Sequence, residues 1–518
     1  MAQDLAQAEG LSAAMGVGAK VEGAKSSDGA KTALREVLHL LRVYWALLLG
    51  NVLEWYEFAV YSFLEPYFQE NFFAGSAIST WLGFACTFVA RPFGGIVIGV
   101  IGDIFGRKVS TFLSIFGMLI GTVGQGLVPS YASGQVAGTI GLVLLVSLRF
   151  LQGICTGGEI AAVSTYITEV GPKSCLARSM ALIGITCNVG FLAAQLVSYL
   201  ALELLGEEMM LEWGWRLPFL IAGIPGLIAT LGRRCMPESN EFLEARAAAV
   251  VSEPGADAEE EVSESNGSSS DVKEGSKRAA ASAKMRSLLG SYWGNILVGI
   301  GAVVAVSTLQ YGGLVWCNIF LKKRGASPDH LIAAGVTARI LSILLSPFTG
   351  WLADVKGVAW LHLLGALMLT CTGLPLYLVM LWHPTSLAAV LLAYGVGFGV
   401  IFAFTGMIFF LYVVELFPVQ VRNAGVGLSY NIGFCAFGGF APMVFEAAYH
   451  GYLWGPGWLL SLAGLVTALT TLVSLRLQKS GRMQLVHERP VPYFSQCGCD
   501  PVADAEVEEQ ADPPSVKV

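Results

Sequence analysis

Long apolar runs separated by short polar stretches occupy the chain from about residue 43 to about residue 477. A hydrocarbon layer about 30 Å thick is crossed by about 20 apolar residues in helical conformation. Twelve such runs can be drawn, near 43–66, 79–101, 110–128, 138–163, 179–204, 217–236, 292–320, 331–352, 358–381, 387–413, 424–448 and 455–476. Backbone N–H and C=O groups in lipid must be satisfied within their own segment, so each run is expected to be a helix. The polar stretches give the domain plan. Residues 1–42 begin rich in Ala, Gly and Lys without a continuous apolar core, which predicts a disordered cytosolic arm rather than a secretory signal. Residues 237–290 turn sharply to Glu, Ser, Ala and Gly (EPGADAEEEVSESNGSSSD), a composition that cannot bury enough apolar surface to order itself. They are expected to be a disordered cytosolic linker between helical bundles at 43–236 and 291–477. Residues 478–518 read as an acidic, disordered cytosolic tail without a sustained heptad pattern.

Composition agrees with the pattern. With 54% hydrophobic and 13% charged residues, the 518-residue chain has too little polar surface to cover a soluble globule. Arg107, Lys108, Lys173, Arg178, Arg233, Arg234, Lys356, Arg422, Arg476 and Lys479 all fall on one side if twelve spans alternate from a cytosolic start, which predicts both termini inside. Lys322-Lys323-Arg324 falls outside, either as a basic rim that gathers anions or as a solvated surface. Most of the ten cysteines lie in apolar runs and are expected to be free thiols, with Cys497 and Cys499 in the polar tail. Gly395-x-Gly397-x-Gly399 lies inside an apolar run rather than after a strand, so it is no dinucleotide loop. There is no Walker lysine, no Cys/His metal spacing and no Ser/His/Asp set. Enzyme chemistry, a metal, a cofactor and nucleic acid are therefore not expected.

Two markers report a duplication. Gly99, Asp103 and Gly106 recur as Gly350, Asp354 and Gly357, 251 positions later, and Glu169 with Pro172 and Arg178 is matched by Glu415 with Pro418 and Arg422, the two glutamates lying 246 positions apart. Small residues let helix backbones approach closely, and glycine beside a turn accepts backbone angles that other residues resist. Gly99 to Lys108 resembles the signature loop between the second and third helices of the major facilitator superfamily. GNVLEWYEFAVYSF at 50–63, Arg91-Pro92-Phe93-Gly94-Gly95, RFLQGICTGGE at 149–159 and WGWRLPF from Trp213 resemble its metabolite:proton symporters, above all the bacterial proline/betaine transporters. The resemblance implies an all-α integral membrane protein of twelve transmembrane helices in two pseudo-symmetric six-helix bundles. It further implies proton-coupled symport of a small organic solute, a proline- or betaine-like zwitterion or an organic acid, by alternating access in the plasma membrane, with a functional monomer. A facilitative uniporter and a non-transporting membrane sensor are the alternatives.

Charges inside membrane helices are functional candidates by default, usually with a partner facing the interior. At 1.5 Å per residue, Glu57 and Arg149 share a depth of roughly 21 Å from the cytosolic face, Arg91 and Glu54 lie at roughly 15–17 Å, and Glu159 lies lower. Glu57 and Arg149 match the positions of the acid in helix one and the arginine in helix four of proton-coupled relatives. The resemblance thus implies proton coupling by Glu57 with Arg149, and Glu54 is a further candidate. A permanent clamp between the two helices is the alternative. Arg91 needs a carboxylate, Glu54 or Glu159. Gly99, Asp103, Gly106, Arg107, Glu169, Arg178, Asp354, Glu415 and Arg422 match the family's gating clusters, against the plainer reading that they mark helix ends. Arg339 stands about 20 Å deep with no carboxylate at its level in the second half. It is expected either to bind a carboxylate of the transported molecule, or to reach Glu57 or cap carbonyls. Tyr311, Trp316, Phe398 and Phe402 are candidate aromatic walls able to face an amine. Asn188 and Asn431, at matching places after Arg178 and Arg422, bond either substrate or a neighbouring helix.

Overall fold

The computed structural model of the chain describes residues 38, 41–42, 45–105, 107–170, 175–234, 286, 288–418 and 421–480, with the side chains at 99–100, 102–105, 107 and 169–170 outside the description. Most of the expected arm, linker and tail, with Cys497 and Cys499, lie outside the described residues. The described residues form helices joined by short turns, with no strand among them. The long helices are α1 (Trp45–Phe63), α2 (Ala77–Phe105), α3 (Arg107–Leu127), α4 (Gln135–Thr168), α5 (Leu176–Glu212), α6 (Gly214–Arg234), α7 (Trp293–Lys323), α8 (Pro328–Lys356), α9 (Val358–Trp382), α10 (Leu387–Glu415), α11 (Arg422–Gly451) and α12 (Gly455–Lys479). Eleven helices, α2 to α12, are long and apolar enough to cross a membrane. The nineteen-residue α1 carries Asn51, Glu54 and Glu57 and falls outside that set. Most helix bounds fall within a few residues of the apolar runs. α5 runs furthest past its expected end, to Glu212, because the chain resumes helix after Gly206 takes a left-handed φ of 76° that only glycine adopts easily.

Apolar side chains point outward as well as in. Ile78, Leu82 and Phe93 on α2, Leu344, Phe348 and Trp351 on α8, and Leu462 and Leu469 on α12 are exposed, whereas Arg91, Arg149, Gln125 and Asn188 are buried. That inversion suits a lipid surround, where apolar side chains gain nothing by hiding and polar ones must be paired inside. Helices α1 to α6 pack against α7 to α12 chiefly through α5 on α8 and through α2 on α11. The two contacts exchange if each helix is advanced six places, as duplication requires. Glycines set their closeness: a Cβ on Gly350 of α8 would lie 2.9 Å from the Cα of Arg178 on α5. Helices α7, α10 and α11 each contain a wide π-type turn, at Leu309–Trp316, Leu391–Phe398 and Cys435–Gly439. Such turns recur at functional sites and rotate everything beyond them. The described cysteines are all free.

Candidate functional site

Glu54 and Glu57 stand three residues apart on α1 and so share a helix face. The helix is held in rotation by Asn51, whose amide donates to Thr186 Oγ1 of α5 at 2.6 Å. Arg91 of α2 donates from Nη2 to Glu54 Oε1 at 3.1 Å, and both side chains are fully buried. The guanidinium lies 4.3 Å from the centre of the Phe58 ring and 4.9 Å from that of Phe88. From Nη1 it also donates to the Tyr430 hydroxyl of α11 at 3.4 Å, so this pair is joined to the second half. Of the two acids open to Arg91, the structure gives it Glu54.

Glu159 is taken by another arginine. Arg233 of α6 donates from Nη2 to Glu159 Oε1, Ser114 Oγ donates to Oε2 at 2.8 Å, and Arg233 Nη1 donates to the Thr111 carbonyl at 3.1 Å. Arg233, counted from sequence only for the side of the membrane on which it falls, proves to be part of the interior. It is fully buried, because a dry carboxylate needs a cation more than a helix end needs a surface charge.

Glu57 and Arg149 do not touch in this conformation. Gln152 Nε2 donates to Glu57 Oε2 at 2.5 Å, while Arg149 Nη1 donates to Gln125 Oε1 at 3.4 Å. The Arg149 guanidinium rests on Tyr61, 3.9 Å from the ring centre. Gln125 and Gln152 join the two ends, since Gln125 Nε2 donates to Gln152 Oε1 at 3.4 Å. The expected direct pair is thus replaced by two amides, which sequence reasoning passed over because beside Glu57 it looked only for an opposite charge.

Arg339 faces a narrow cavity where α1, α5, α7, α8, α10 and α11 converge. Its Nη1 donates to Asn188 Oδ1 at 3.2 Å and to Gln310 Oε1 at 3.0 Å, and the guanidinium lies 4.3 Å from the Phe191 ring centre. Asn188 and Phe402 line the cavity, as do Trp55, Gln310, Phe409 and Phe434, which the sequence reading did not name. Gln310 Nε2 is buried without a hydrogen-bond partner. Tyr311 packs edge-on to Phe434 and against Phe191, behind the wall. Three other candidates lie elsewhere. Asn431 donates to the Gly157 carbonyl at 2.6 Å, bonding α11 to α4. Trp316 donates from Nε1 to Glu446 Oε2 at 2.7 Å, near the C-terminal end of α11. Phe398 is buried against Tyr394 and does not line the cavity.

Closures lie on both sides of the cavity. At one end, Asp354 of α8 accepts from Arg178 Nε of α5 at 2.7 Å and from the Ala177 amide at 2.8 Å, so one copy of the repeated motif is bound to the other half. Arg422 is buried and donates from Nε to the Phe417 carbonyl at 3.3 Å, and Glu415 is half-buried at the end of α10. Gly106 and the side chains of Asp103, Arg107 and Glu169 lie outside the described residues, and Gly99 is described only as part of α2. At the other end, Lys322 meets Glu207 of α5 at 3.3 Å, and the Tyr199 hydroxyl donates to Asp329 at 3.2 Å. Lys323 meets Glu446 at 3.0 Å, and Arg324 donates to the Leu381 carbonyl at 3.5 Å. The basic run is exposed, as the reading of a solvated surface has it, and its side chains also reach Glu207, Glu446 and the Leu381 carbonyl.

The chain resembles bacterial transporters along most of its length. It is 29% identical over 413 residues to the ectoine/proline transporter ProP of Corynebacterium glutamicum, covering 76% of this chain and 75% of that one. It is 27% identical over 443 residues to the glycine betaine/proline/ectoine/pipecolic acid transporter OusA of Dickeya dadantii, covering 84% and 83%. Among solved structures, the proton:xylose symporter XylE bound to 6-bromo-6-deoxy-D-glucose superposes with a TM-score of 0.65 at 18% identity, over 86% of this chain and 96% of that one. The family model described as "Sugar (and other) transporter" matches residues 43–478. With that match spanning every helix from α1 to α11 and nearly all of α12, this chain belongs to the sugar (and other) transporter family of the major facilitator superfamily.

Proposed function

We propose that the protein is a proton-coupled secondary transporter that carries a small organic solute by alternating access. The observation that carries this reading is the cavity around Arg339, buried between the two halves and bordered by separable polar clasps at either end. In this reading α1 is a twelfth span, and the fold is two pseudo-symmetric six-helix bundles, 43–236 and 291–477, with internal inverted repeats that rock about the central site. Residues 1–42, 237–290 and 478–518 are cytosolic, the protein acts as a monomer in the plasma membrane, and nucleic acid plays no part. The named relatives carry proline, betaine and ectoine, which supports a zwitterion or an organic acid as substrate.

Roles follow from position. Arg339, helped by Asn188, holds the carboxylate of the solute, and Phe402 with its aromatic neighbours bounds the rest; Tyr311 shapes that wall from behind. Asn431, Trp316 and Phe398 serve packing and clasping instead. Glu57 carries the proton and Arg149 governs it, moving relative to the carboxyl as the halves rock. A desolvated carboxylate tends to hold its proton, and a nearby arginine favours the ionised form. Glu54 with Arg91 and Glu159 with Arg233 form the lower charged layer. Asp354 with Arg178 closes the cytosolic gate, and Gly99, Asp103, Gly106, Arg107, Glu169, Glu415 and Arg422 complete the gates. Proteoliposomes test the central claim: Glu57→Gln abolishes accumulation driven by a pH gradient while solute exchange persists. Undiminished accumulation by Glu57→Gln removes the proton role, and wild-type uptake that survives a protonophore favours a uniporter.

A further inference from the structure

We propose that Gln125 and Gln152 are positioning residues that relay the charge of Arg149 to Glu57, an inference that rests on the proton-site reading above. Among the described residues, Arg91 and Arg233 each contact a buried carboxylate, whereas Arg149 contacts none. Its Nε and Nη2 have no hydrogen-bond partner, and its single bond goes from Nη1 to Gln125 Oε1. From there the chain runs one way. Gln125 accepts from Arg149 and donates to Gln152 and, at 3.0 Å, to the Gly121 carbonyl of its own helix; Gln152 accepts from Gln125 and donates to Glu57 Oε2 at 2.5 Å and to Thr122 Oγ1 at 3.2 Å. Both amide dipoles therefore point their positive ends at the carboxylate. All four side chains of the chain are buried, and hydrogen bonds in series polarise one another where water is absent.

The other charged groups around Glu57 are already paired, and the remaining titratable ones are neutral hydroxyls and thiols. On α1, Glu54 is bound to Arg91 of α2, and Tyr56 donates its hydroxyl to the Pro218 carbonyl at 2.7 Å. On α4, Glu159 is bound to Arg233 of α6, and Cys155 is a free thiol. On α5, Cys187 accepts from the Asn51 amide. Helix α3 contributes the neutral Thr122 and Gln125. The charge that bears on Glu57 without an acid of its own is thus that of Arg149, and it arrives through two amides. Transmission of this kind leaves the carboxyl neither locked in a direct ion pair nor unsupported, which suits a group that must both take up and release a proton.

Infrared difference titration of the purified protein, with no solute added, tests the relay. The band of the protonated carboxyl that disappears in Glu57→Gln identifies the residue. Gln152→Met removes a direct donor to the carboxylate and moves the midpoint of that band to higher pH by about one unit. Gln125→Met moves it in the same direction, although Gln125 does not touch Glu57. A Gln125→Met midpoint equal to that of wild type overturns the relay, since a merely structural glutamine leaves the midpoint in place. If Gln125→Met does not purify folded, Gln125→Asn, which keeps the amide on a shorter stem, carries the same expectation and the same refutation. A wild-type spectrum with no band attributable to Glu57 overturns the proton site itself, and the relay with it.

Discussion

Neutralising Arg91 gives the sharpest test of the charged layer. Its ion pair with Glu54 is 3.1 Å long and neither partner is exposed. Removing one member of such a buried pair costs about 3–5 kcal/mol, because it leaves an uncompensated buried charge. At about 2–4 °C per kcal/mol for a unit the size of one helical half, Arg91→Gln lowers the thermal midpoint in detergent by on the order of 10 °C. The double variant Arg91→Gln/Glu54→Gln leaves two neutral amides in the same space and recovers more than half of the loss. Arg91→Gln/Glu159→Gln does the opposite. Glu159 belongs to Arg233, so its neutralisation orphans a second buried guanidinium and adds to the damage. The assay is a melting series of the four proteins by tryptophan or thiol-reactive dye fluorescence. Recovery with Glu159→Gln and none with Glu54→Gln would falsify the assignment of partners.

Two further outcomes are expected at the gate and at the cavity. Asp354→Asn weakens the bond to Arg178 and loosens the closure at that end, so Cys187, which lines the cavity, reacts several-fold faster with a membrane-impermeant maleimide applied from the face that this clasp closes. Labelling in a protein whose other cysteines are replaced measures this, and an unchanged rate refutes the gating role. Arg339→Gln removes a charge-assisted contact of about 1.5–3 kcal/mol and weakens binding of carboxylate-bearing solutes about ten- to a hundredfold. Calorimetry with L-proline and glycine betaine against their amide analogues reads the effect, and equal binding by variant and wild type ends the carboxylate role.

The helices, the duplication and the existence of buried charge were legible in the sequence. A backbone in lipid must satisfy itself locally, so run length alone predicts a helix, and a rise of 1.5 Å per residue fixes depth without any knowledge of neighbours. Depth brought Glu57 level with Arg149, and Arg91 level with Glu54. Partnership needs rotation about the helix axis as well as depth, and rotation is set by packing. Tertiary structure therefore decided that Arg91 takes Glu54, that Arg233 turns inward to Glu159, and that two glutamines stand between Arg149 and Glu57. The aromatic candidates divided for the same reason. The π-type turn at Leu309–Trp316 resets the periodicity of α7, so Gln310 faces Arg339 while Trp316 faces Glu446 near the C-terminal end of α11. Asn188 and Asn431 stand ten and nine residues after Arg178 and Arg422, and one bonds Arg339 across the cavity while the other bonds the Gly157 carbonyl. The duplication repeated the residues, but the two halves meet different neighbours.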